Sequence, residues 1–155
     1  MLISYPKDLK LPLLSSHGLA QKPNLLRTEM SSGRARQRKR FQSVPTILSA
    51  SWKLNPYQAQ LFEGFVTHGT GDAVNWFVMP LLTPQGVVEH EVRFIQSPLE
   101  SCSFSGGFWN YSANIEIKKR QVISEEVTAT QLLAPNSIQQ FVDGISAALD
   151  TYQEQ

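Results

Sequence analysis

The chain has 155 residues and a mass of 17.4 kDa, with 41% hydrophobic, 10% aromatic and 17% charged residues, enough to bury one sizeable core but hardly two. Its formal charge of +1, from 14 Lys and Arg against 13 Asp and Glu, gives by itself no reason to expect a polyanionic partner. A single cysteine, Cys102, excludes an internal disulfide and a thiolate zinc centre. The distribution of charge says more than the total. Arg34, Arg36, Arg38, Lys39 and Arg40 fall within seven positions, leaving nine basic against thirteen acidic residues elsewhere, a balance of −4. Pro6 and the charges at positions 7, 8 and 10 interrupt the roughly 7–15 apolar residues a signal peptide needs. No run approaches the roughly 18 apolar residues of a membrane span, so the sequence predicts no export, no membrane and assembly in the cytoplasm.

Residues 1–32 hold three prolines and few periodic apolar positions, and read as an extended N-terminal arm of the kind that stays mobile or docks on a neighbour. Ser31-Ser32-Gly33 marks a turn before the basic run. From Thr46 to Leu54, residues Leu48, Ala50, Trp52 and Leu54 alternate with Ser49, Ser51 and Lys53, the pattern of a half-buried strand. Asn55-Pro56 with Gln58 forms a capping signal, and Tyr57, Leu61, Phe62, Phe65 and Val66 recur at helical spacing up to Gly69. Residues 75–79 read as a short apolar strand stopped by Pro80, and Thr83-Pro84-Gln85-Gly86 as a turn. Val88, His90, Val92 and Phe94 then alternate with Glu89, Glu91 and Arg93. Ser105-Gly106-Gly107 is a hairpin signal, followed by a strand that alternates from Trp109 to Lys118. Residues 121–134 read as a polar connection, and Ile138, Phe141, Val142, Ile145, Leu149 and Tyr152 as the stripe of a C-terminal amphipathic helix. The expected class is mainly β (α+β): an antiparallel β-sandwich or barrel-like sheet with one packed helix over residues 33–120, flanked by the arm and by a connection and helix over 121–155.

Chemistry is sparse in the pattern. His90-Glu91 lacks the second histidine of a zinc helix and lies on a strand, so His90 reads as a satisfied or half-buried sheet residue; His68 ends the first helix and His17 lies in the arm. No Gly-x-Ser-x-Gly elbow or phosphate-binding glycine loop occurs. Cys102 reads as a small buried apolar residue, Glu89 and Glu91 as the wet side of a strand, and Trp52, Trp76, Trp109 and Tyr111 as core. No enzyme, metal or cofactor is expected. The basic run is the one pronounced signal: Arg34, Arg36, Arg38 and Arg40 share strand parity, so an extended chain lines four guanidinium groups along about 20 Å. That row is the candidate partner-binding site, suited to an acidic protein surface or to phosphate.

The order of elements resembles small bacteriophage tail proteins, of the lambda-like minor tail protein M and distal tail protein type. The resemblance covers residues 33–120 and rests on Arg36-Gln37-Arg38, the strand and helix over 46–67, the Trp-Phe-x-x-Pro segment ending at Pro80, and the final strand from Trp109 to Lys118. It implies a non-enzymatic structural subunit of a tailed-phage virion, forming a trimeric or hexameric ring in the tail tip, baseplate or connector and contacting tail tube, hub or baseplate proteins. The alternative is a small nucleic-acid-binding accessory protein using the basic run, which the −4 balance elsewhere makes the weaker expectation.

Overall fold

A computed structural model of the chain describes residues 2–133 together with Val142, Ile145, Ser146 and Leu149. In chain order, β1 (Ile3–Ser4) and β2 (Gly18–Gln21) precede a hairpin of β3 (Leu25–Thr28) and β4 (Arg36–Lys39). Strand β5 (Thr46–Leu54) leads into α1 (Pro56–Gly64), β6 (Phe77–Thr83) pairs with β7 (Gly86–Phe94), and β8 (Ser103–Ser105) with β9 (Phe108–Ile117). Helix α2 (Glu125–Leu133) follows. The fold is mainly β, of the α+β class: one mixed sheet in the order β1-β6-β7-β9-β5-β2, with β8 also on β9 and a helix packed across it. Among the described residues every pairing is antiparallel except that of β1 with β6.

Alternation makes the sheet one-sided. Leu48, Ala50, Trp52 and Leu54 of β5 are buried, as are Tyr111, Ala113, Ile115 and Ile117 of β9, which lies beside it in register. Helix α1 covers this face because its start is fixed: Asn55 Oδ1 accepts the Gln58 N–H at 2.8 Å, and Gln58 Oε1 accepts the Asn55 N–H at 3.3 Å. The Phe62 ring then lies 5.1 Å from Trp52 and 5.0 Å from Tyr111. Phe65 meets Phe77 at 5.4 Å. The helix ends in a wider, π-type turn over Phe65–Gly69, closed by the Thr70 N–H donating to the Phe65 carbonyl at 2.9 Å. Gly71, Asp72 and Ala73 follow with φ of 60°, 56° and 70°, three successive left-handed residues that turn the chain back into β6. Thr70 holds this turn from inside: its buried hydroxyl donates to the Val66 carbonyl and accepts the Ala73 N–H.

The N-terminal segment docks on its own domain. The Tyr5 N–H donates to the Val78 carbonyl at 2.8 Å on the β6 edge, and the Leu13 N–H to the Ser51 carbonyl at 2.7 Å on β5, so residues 5–13 cross from one edge region of the sheet to the other. Tyr5 and Leu9 are buried on the way, with Tyr5 edge-on to Phe65 at 5.6 Å. His17, just before β2, sends Nε2 to the Leu82 carbonyl of β6 at 2.7 Å. A carbonyl only accepts, so Nε2 carries the proton. The sheet is thereby barrel-like, with residues 3–21 as its closing strap. The buried core thus begins at Tyr5, well before the boundary at 33 expected from periodicity.

Three other expectations change. Pro80 does not stop β6 but lies within it, opposite Glu89. Val78 turns its carbonyl toward the β1 edge, and Pro80 shares that parity, so its missing N–H falls beyond the end of β1 where no ladder bond is due. Trp76 is not core: β6 buries Phe77, Met79 and Leu81, and Trp76 has the opposite parity. Residues 121–134 are not merely a connection, because Ser124 Oγ accepts the Val127 N–H at 3.3 Å and starts α2, a helix with no buried residue. The expected helix over 138–152 lies largely outside the described residues; Val142, Ile145, Ser146 and Leu149 are helical. Among the described residues no helix is long and apolar enough to cross a membrane.

Candidate functional site

Among the described residues strands β3 and β4 pair only with each other, and no residue of either is buried. They form a two-stranded ribbon that leaves the sheet between Gln21 and Thr46, residues paired at the end of β2 and the start of β5. Its base is locked by Asn24, whose side chain accepts the Phe41 N–H at 2.6 Å and donates to the Phe41 carbonyl at 2.8 Å, while its carbonyl accepts the Arg40 N–H at 2.8 Å. The tip turns at Gly33, where φ of 106° suits glycine.

Register decides where the basic side chains go. Arg36 lies opposite Thr28 and Arg38 opposite Leu26, whereas Arg27 lies opposite Gln37 and Lys39 opposite Leu25. Directly opposed residues share a face, so Arg36 and Arg38 occupy one face and Arg27 and Lys39 the other. Of the four arginines in the expected row, Arg36 and Arg38 lie in β4; Arg34 precedes it at the tip, and Arg40 follows it with its guanidinium 5.2 Å from the Phe41 ring. All four are exposed. Lys22 and Arg27, assigned from sequence to the arm, join them. Residues 22–41 thus carry seven basic side chains against Glu29 alone, leaving seven basic and twelve acidic residues elsewhere, a balance of −5. Arg27 is already engaged by Glu29 at 2.6 Å. The others have no ion pair among the described residues, and the ribbon is a concentrated, solvated cationic surface.

Several charged residues outside the ribbon are tied into the domain. Glu91 pairs with Lys118 and Glu116 with Arg93 across the outer face of β7 and β9, and the Arg93 guanidinium lies 4.6 Å over Trp76, which explains that residue's outward position. His90 is buried, and its Nδ1 donates to the Val88 carbonyl at 2.8 Å. Cys102 is exposed rather than buried, because it follows the short turn Pro98–Ser101 at the rim instead of lying in a strand. Among the described residues no group of three or more His, Cys, Asp or Glu side chains could hold a metal ion.

Tyr111 links helix and sheet. Its ring is buried and its hydroxyl donates to Glu63 Oε1 of α1 at 2.8 Å. Burial first, then the bond to Glu63, with smaller contributions from the Cys102 thiol and the Glu63 charge, push its phenol well above the ordinary value near 10. Unfolded tyrosine ionises near pH 10 while folded Tyr111 keeps its proton, so this contribution is intact below about pH 10 and declines above it by up to about 1.4 kcal/mol per pH unit. Tyr111→Phe is expected to lower stability at pH 7 by about 1 kcal/mol and to flatten the alkaline decline. Urea unfolding between pH 7 and 11.5 checks both; an equally steep decline in the variant would assign it to other groups.

Comparison with models of protein families, with curated proteins and with solved structures finds no match to this chain.

Proposed function

We propose that the chain is a structural subunit of a tailed-bacteriophage virion, which forms a ring in the tail tip, baseplate or connector region and joins tail components, with the basic ribbon as the arm by which one copy grips the next. The observation that carries this reading is the ribbon. No residue of its strands is fully buried, yet each ordered residue costs roughly 1–2 kcal/mol of conformational entropy, which a partner surface would offset. Its surplus of six positive charges faces a body of −5 on every other copy, so like chains attract through unlike surfaces, the condition for a head-to-tail ring. The resemblance of residues 33–120 to phage tail proteins supports the same assignment and suggests three or six copies.

A second reading has its own observation. A two-stranded ribbon fits the major groove of duplex DNA, and this one carries cations on both faces. Salt and mutation separate the two. Replacing Arg36 and Arg38 with Glu is expected to leave the fold and melting temperature unchanged, since both side chains are exposed, and to abolish the concentration-dependent rise in mass that light scattering should record for the wild type. Duplex binding by the wild type, falling steeply between 50 and 200 mM salt, would replace the ring reading with the nucleic-acid one.

A further inference from the structure

We infer that the surface receiving the ribbon is helix α2 of the neighbouring copy, an inference that rests on the ring reading. The first argument is position. Gln21 pairs with Thr46, and Thr46 with Ile117, so the ribbon and the segment leading to α2 leave the same end of the sheet. Copies related by rotation about an axis along the strands keep that end at one level. A ribbon whose arm of residues 22–31 reaches about 30 Å can then arrive beside the next copy's α2; elements at opposite ends would generate an open filament instead.

The second argument is complementarity. Glu125, Thr128, Ala129, Leu132 and Leu133 fall on one stripe of α2 at helical spacing, and all five are exposed, Leu132 at 78% and Leu133 at 87%. Gln131, on another side, lines a cavity with Pro84, Ile123, Val142 and Ile145 of its own chain, and among the described residues nothing buries the leucine stripe. Glu125 and Glu126 add two adjacent carboxylates with no ion pair among the described residues, whereas Glu91, Glu116 and Glu63 are already engaged. The ribbon carries the matching chemistry: Leu26 opposite Arg38 on one face, Leu25 opposite Lys39 on the other. The lengths agree too, a nine-residue helix and a four-residue strand both measuring about 13 Å.

Charge exchange in the full chain tests this. R36E/R38E and E125K/E126K are each expected to weaken self-association at least tenfold by sedimentation velocity at low salt, with unchanged far-UV circular dichroism and melting temperature. The quadruple variant, which restores opposite charges in exchanged positions, is expected to regain most of it. Association of E125K/E126K at wild-type strength, or a quadruple variant no better than R36E/R38E, overturns the assignment of α2 while the ring reading stands. A wild type that stays monomeric at every concentration overturns both. Should either charge reversal lower the melting temperature, R36A/R38A and E125Q/E126Q replace them, and a wild-type level of association in the second pair overturns the inference.

Discussion

A chain lacking residues 1–21 is expected to show no cooperative unfolding transition. The deletion removes β1, β2, three buried residues, Tyr5, Leu9 and Pro12, and the partly buried Leu11 and Leu19 that pack against the core. Losing a large buried side chain costs roughly 2–5 kcal/mol, and small domains have only about 5–15 kcal/mol in total. The backbone consequence adds to this, because the carbonyls of Val78 and Ser51, which the strap now serves, lose their donors. Circular dichroism on heating checks the expectation, with Leu9→Ala as the milder variant, destabilised by about 2–5 kcal/mol. A truncated chain that melts sharply within a few degrees of the full one would place residues 1–21 outside the stabilising core.

Phe62→Ala should be the most damaging single truncation in α1. The side chain is fully buried between Trp52 and Tyr111, so its removal leaves a cavity lined by two large rings that cannot collapse without moving the helix. The expected loss is about 3–5 kcal/mol, equivalent to roughly 10–20 °C in melting temperature for a domain of this size. Tyr57→Ala in the same helix is the control: that side chain is 73% exposed and its loss should fall within about 0.5 kcal/mol of zero. Similar values for the two would mean that α1 does not pack on the sheet as described.

The sheet's centre was legible because its signals are local. In β5 and β9 each inward residue is followed by an outward one, and Asn55, Pro56 and Gln58 announce α1 within four positions. The strap was not legible. Leu9, Leu11 and Leu13 alternate briefly, but Pro12 interrupts them, and the partners that bury Tyr5 and Leu9 lie far along the chain. The ribbon hid for the opposite reason: with both faces wet, Leu25-Leu26-Arg27-Thr28 and Arg36-Gln37-Arg38-Lys39 show no polar-apolar period, although Ser31-Ser32-Gly33 between them marks the turn. Composition located the arginines of the candidate site; only the register revealed that Arg27 and Lys39 cover the other face. Helix α2 escaped because none of its residues is buried and its leucines gather only in its last turn.

The strap also sets an order of events at the ribosome. Ile3 pairs with Phe77, 74 positions later, and His17 bonds Leu82. The segment made first therefore waits, at synthesis rates of about 5–20 residues per second, on the order of several seconds for its partners to emerge. Contacts so distant in sequence form slowly even in a complete chain. The hairpin of β6 and β7 and the helix after β5 can form in the interval, while the edges of β5 and β6 keep unpaired backbone groups. Nascent chains on one message are open to pairing with each other at those edges until the strap is seated.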